Sequence, residues 1–163
     1  MAFLRARDVD ERRAQAIAAT TRGNYSDYQE ALRIYEGLLE SNEGDSKLLS
    51  ETARLHAVIA LEFGTKNDEQ AEAFIAKALA SGAMEQQLAT ARAAIDIHRG
   101  DLAHADQVLN ATQASIGEDA PELIYLRGLW YLKQDRAQDA LLRFDAAAKE
   151  RPQDVRMVLA QVR

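Results

Sequence analysis

The stretch Ala137-Gln138-Asp139-Ala140-Leu141-Leu142-Arg143-Phe144 sets a small residue, Ala140, one helical turn ahead of a large one, Phe144. Three other stretches repeat the arrangement. They are Tyr28-Gln29-Glu30-Ala31-Leu32-Arg33-Ile34-Tyr35, Asp68-Glu69-Gln70-Ala71-Glu72-Ala73-Phe74-Ile75 and Leu102-Ala103-His104-Ala105-Asp106-Gln107-Val108-Leu109. Residues four apart share one face of a helix. The small member lets a second helix approach closely, and the large one fills the space beside it. The anchor alanines 31, 71, 105 and 140 are separated by 40, 34 and 35 residues. Four such pairs at a nearly constant step mark an internal repeat of helical units.

Outward from these anchors, Gly23, Gly44, Gly64, Gly82, Gly100 and Gly117 fall between amphipathic stretches, where a helix end or tight turn tolerates positive φ. Leu32, Tyr35, Leu38 and Leu39 form one apolar stripe; Leu48, Leu55, Val58, Ile59 and Phe63 form another. Apolar–polar alternation never persists, so no strand is expected. The reading is all-α: seven to nine antiparallel helices joined by short turns.

The chain has 163 residues, enough for one domain with a shared core. It contains no Cys, which excludes disulfides, thiolate metal sites and a cysteine nucleophile. A net charge of -6 argues against a general nucleic-acid binder, which needs clustered positive charge. No apolar run is long enough to insert into a membrane. Met1-Ala2-Phe3-Leu4-Arg5 is charged almost at once and does not read as a signal peptide. The expected compartment is cytoplasmic if this start is the native one, and periplasmic if a signal or anchor has been removed.

The last unit resembles a tetratricopeptide repeat, a 34-residue helix–turn–helix. With Pro121 as position 1, Ile124, Gly128, Tyr131, Ala140, Phe144, Ala147 and Pro152 fall at the family's positions 4, 8, 11, 20, 24, 27 and 32. Arg127 departs from the pattern at position 7, where its stem must pack while its head finds water or a carboxylate. The third unit keeps the turn Gly100-Asp101-Leu102 but has Asp96 where a large aromatic is expected. The second keeps Leu55, Val58, Ala71, Ile75 and Ala78. The first keeps Tyr28, Ala31, Tyr35 and Leu38, but offers Gln15, Ala18 and Arg22 as the packing residues of its first helix. The 40-residue step implies about six extra residues near 41–47. The resemblance implies a right-handed superhelical solenoid of about four repeats (12–45, 52–85, 86–120, 121–154) with a terminal helix over 155–163 carrying Val155, Val158, Leu159 and Val162. The whole chain reads as a single repeat domain of a longer protein.

Few constellations suggest chemistry. Pairing His98 with His104 and Asp101 across a glycine turn lacks the i, i+4 spacing that zinc sites on helices use, so no metal or cofactor is expected. Glu118 and Asp119 read as a helix-start charge and cap before Pro121. Arg5-Ala6-Arg7 and Glu11-Arg12-Arg13 read as a solvated face. The resemblance also implies a concave groove lined by first helices. Its positions give Arg13, Ala16 and Thr20; then Ala53, His56, Ala60 and Phe63; then Gln87, Thr90, Ala94, Ile97 and His98; then Glu122, Tyr125, Leu129, Leu132 and Lys133. The Lys and Asn clamp with which some family members hold a peptide carboxylate is absent. His56, Phe63, Thr90, Ile97, His98, Tyr125, Leu129, Leu132 and Lys133 are the candidate partner-binding residues, with His56 and His98 as sources of pH dependence near 6–7. The expected function is a non-catalytic scaffold that binds a peptide or helix of another protein, with self-association through the end helices as a further option. The alternative is a regulatory or assembly segment of a larger enzyme or envelope assembly factor.

Overall fold

Helix ends fall where local chemistry satisfies unpaired backbone groups. The Asn24 side chain accepts a hydrogen bond from the Asp27 amide at 3.0 Å, and Asp45 accepts from Lys47 and Leu48 at 2.9 and 3.0 Å, so each caps the helix that follows. Pro121 opens another helix, where its missing N–H costs nothing. Gly64 and Gly100 close two more with φ of 64° and 82°, a conformation that strains any side chain. The computed structural model describes residues 2–116 and 120–161, and these form nine helices. They are α1 Ala2–Arg22, α2 Tyr25–Leu39, α3 Ser46–Phe63, α4 Asn67–Ala80, α5 Glu85–Arg99, α6 Leu102–Ile116, α7 Pro121–Leu132, α8 Ala137–Glu150 and α9 Val155–Ala160. Helix makes up 82% of the described residues, above the two-thirds that four helix pairs require, and no strand occurs among them. Gly117, Glu118, Asp119 and Val162, and the side chains of Arg5, Arg7 and Leu159, lie outside the description.

Successive helices pack as pairs, α1 with α2, α3 with α4, α5 with α6 and α7 with α8. Ala31, Ala71, Ala105 and Ala140 are all fully buried, and Tyr35, Ile75, Leu109 and Phe144 are buried one turn on. The long first step has two sources: a six-residue connection over 40–45, and an α3 of 18 residues against 15 in α5 and 12 in α7. Gly128 marks the closest approach, since a Cβ there would lie 2.4 Å from Cε1 of Phe144. Arg127 finds its carboxylate in Asp106, and its guanidinium lies 5.1 Å over the Trp130 ring. Trp130 in turn donates from Nε1 to the Leu102 carbonyl at 2.8 Å, tying α7 to the start of α6.

Two expectations are corrected here. Helix α1 buries Ala16 and Ala19, one position on from Gln15 and Ala18, together with Thr20, and leaves Gln15, Ala18 and Arg22 exposed. Helix α9 turns Met157, Ala160 and Arg156 inward, while Val155 and Val158 are about two-fifths exposed. This follows from where α9 lies: besides packing on α8, it meets α1, so the first and last helices touch.

Candidate functional site

The inward positions of α3, α7 and α9 converge on a buried cluster of charge. Glu122, in the first turn of α7, faces Arg156 of α9. Nη1 and Nη2 of Arg156 donate to Oε1 and Oε2 of Glu122 at 3.3 and 3.2 Å, a two-pronged pairing that only a planar guanidinium makes. Asp154, which precedes α9, accepts from the Arg156 amide at 3.1 Å, from Nε at 3.0 Å and from Nη2 at 2.6 Å. Both charges of the second pair are almost completely enclosed. The guanidinium also lies 5.6 Å over the Tyr125 ring, and its stem passes Gly23, where an added Cβ would sit 3.0 Å from Cγ. Tyr125 donates its hydroxyl to Glu62 of α3, and Arg54 of α3 reaches within 3.8 Å of Glu122. Side chains of α3 therefore reach α7 at this cluster.

These surroundings set the protonation states. Burial by itself raises the Glu122 carboxyl, but the positive charges of Arg156, Arg54 and Arg151 outweigh it and bring the value down to about 2. Burial works to lower Arg156, and Glu122 and Asp154 reverse it, so the guanidinium is held charged. The Tyr28 hydroxyl is buried beside this cluster, is pushed up by desolvation, and has no hydrogen-bond partner among the described residues.

The predicted groove residues do not line one open channel. Ile97, Tyr125 and Leu129 are packed in the core, and so is His56 at 5% exposure. Thr90, His98 and Leu132 are half-buried; Phe63 and Lys133 are exposed. Phe63 meets Tyr25 and Tyr28 edge-on at 5.2 and 5.6 Å. Arg13, read as part of a solvated face and a groove position, donates to Glu51 of α3 at 2.9 Å. Burial lowers His56 to about 4, its ring stacks on Phe74, and Nδ1 lies 3.0 Å from the Asn67 amide. It is neutral across pH 6–7 and cannot supply the pH dependence expected of it. Tyr125 is a core residue under Arg156, so truncating it disturbs the fold and not only a surface.

A second polar region lies among α4, α5 and α6. Between α4, α5 and α6 a half-open hollow of about 290 Å³ is lined by Glu72, Ile75, Leu79, Arg92, Asp96 and His104. His104 pairs through Nδ1 with Asp96 at 2.8 Å rather than with His98, and Asp101 is engaged by the His104 amide. Burial raises the Asp96 carboxyl in spite of His104. A neighbouring hollow of about 350 Å³ between α5 and α6 is bounded by Ala89, Arg92, Val108 and Thr112. Arg92 borders both hollows.

No protein-family model, curated protein or solved structure matches the chain. The arrangement itself is what remains. Sequence reading named Glu122 and Tyr125 as inward positions but missed their partner. Its signal was Asp154-Val155-Arg156 after Pro152, a cap followed by a charge between apolar residues.

Proposed function

We propose that this protein is a non-catalytic interaction scaffold of tetratricopeptide type, with helix pairs stacked as a right-handed solenoid and an inner strip that receives a peptide or helix of another protein. The observation that supports this is α9. A six-residue helix is seated against Glu122 and Tyr125 and reaches the end of α1, so the inner face accommodates a short helix and anchors it by one side chain. A surface that accepts a helix in cis has the shape and charge to accept one in trans. The tetratricopeptide reading draws on the four buried alanine anchors and the Gly128–Phe144 approach.

The test is capture with the full chain, followed by amide exchange on the purified complex. The expected result is a bound protein that slows exchange in 54–62 and 122–132. A partner that protects only the hollows of α4, α5 and α6, or turnover of a small molecule there, would overturn the reading.

A further inference from the structure

The inner cluster has the chemistry of a receptor for one kind of side chain. Glu122 offers both carboxylate oxygens to a planar, two-pronged cation, and the Tyr125 ring lies against its flat face. Arg54 and Arg151 stand 3.8 and 4.0 Å from the same carboxylate, at its outer edge, so they contribute to ionising it without filling the place that Arg156 takes. The residue that fills it arrives with its own support. Asp154 binds the backbone amide, Nε and Nη2 of Arg156, so Asp-x-Arg is a preorganised unit at a helix start. The fit in cis is incomplete, because the buried Tyr28 hydroxyl beside it has no partner among the described residues.

Resting on the scaffold reading, we infer that the socket of Glu122, Tyr125 and Tyr28 recognises a partner helix that begins Asp-x-Arg, and that α9 is its intramolecular competitor. The partner's guanidinium replaces that of Arg156, its capping aspartate replaces Asp154, and a backbone carbonyl of the incoming segment accepts from Tyr28. Four residues, 151–154, join α8 to α9, so release swings the last helix out and uncovers Met157 and Ala160. Lysine is a poor substitute, since an ammonium cannot pair with both oxygens in one plane. Apparent affinity is reduced by the fraction of chains whose α9 is seated, which makes the contact self-limiting.

The probe is a labelled peptide of the chain's own Asp154–Gln161 sequence, together with the same peptide carrying Arg156→Gln or Arg156→Lys. It is titrated into the full-length Arg156→Gln protein, in which α9 has lost its anchor. The expected result is binding at least tenfold tighter for the arginine peptide than for either other peptide, with the preference abolished by adding Glu122→Gln to the protein. Equal binding of the three peptides, or none, overturns the inference. If circular dichroism shows either variant unfolded, the unaltered protein decides: excess arginine peptide must accelerate amide exchange over 155–160, and the glutamine peptide must not. Free arginine competing as well as the peptide would identify a small-molecule site and reject the helix. An unaltered chain that instead exchanges α9 between two copies, without response to peptide, would also reject it. A captured protein indifferent to Glu122→Gln and to peptide removes the arginine specificity and leaves the scaffold. Peptide binding without any protein that protects the inner strip removes the scaffold reading alone.

Discussion

In the fourth helix pair, α7 and α8 come so close that no side chain fits at Gly128 against the Phe144 ring. In the third, α5 and α6 stand around Ala89, Arg92 and Asp96 with hollows of about 290 and 350 Å³ beside them. The same supersecondary unit is held in one case by interlocking shapes, while in the other polar ties, Asp96 to His104 and Gln86 to Ser115, also cross between the helices. Dispersion contacts fall off steeply with separation, so the fourth pair has little freedom to change size. The third has space to spare. Their acids differ in the same sense: buried Glu122 is held ionised by three arginines, while half-buried Asp96 is raised by desolvation. An array of this kind can therefore place tolerance and rigidity in adjacent units.

The contrast breaks most visibly with acid. The folded value of Glu122, about 2, lies below its ordinary value of 4.5, so its stabilisation is complete above pH 4.5 and is lost as pH falls toward 2. Denaturant unfolding should lose about 2–3 kcal/mol over that range, and Glu122→Gln should remove the slope. Neutral His56 produces a separate, earlier loss between pH 6.5 and about 4, because the unfolded chain takes up its proton first. The difference between wild type and the Glu122→Gln variant isolates the lower limb. An unchanged slope in that variant would show that Glu122 is not the anchor described.

Gly128→Ala sharpens the packing side. It should destabilise by about 1–3 kcal/mol despite the better helix propensity of Ala, and Phe144→Leu in the same chain should recover part of the loss. A melt unchanged by Gly128→Ala would mean that α7 and α8 are less tightly apposed. Ala89→Leu probes the third pair in the opposite direction. Placed at the edge of the 350 Å³ hollow, it should be neutral or stabilising within about 1 kcal/mol, and a larger loss in a denaturant titration would show the space to be filled. The smallest effect belongs to Asp96→Asn. A raised carboxyl opposes folding while it is ionised, so removing the charge should stabilise by a few tenths of a kcal/mol at neutral pH. The gain should vanish below pH 3.8, where Asp96 is protonated in both states. A gain that persists in acid would assign it to something other than charge.

The helix order and the alanine anchors were legible because they depend on local rules: small-to-large spacing, caps, and glycines at positive φ. Arg127 was read correctly for the same reason, since a charged head on a packed helix has few places to go. The cluster around Glu122 and Arg156 was not legible. Whether Tyr125 faces solvent or Arg156 depends on how the helices are set against one another, bringing α3 to α7 and α9 to α1, and that placement follows from many small packing choices. One register shift in α1, toward Ala16 and Ala19, also went undetected, because an Ala-rich helix has a weak apolar stripe. Such contacts at long sequence separation leave little trace in any local pattern.

Trp130 stands where the two contrasting pairs join, and it is the sole tryptophan of the chain. Its indole N–H is held by the Leu102 carbonyl and its ring is covered by Arg127. The molecule thus carries an optical gauge at that seam. If the third pair loosens before the fourth, indole emission will shift to the red while most of the helical ellipticity survives; if the seam is as strong as the rest, the two signals will move together.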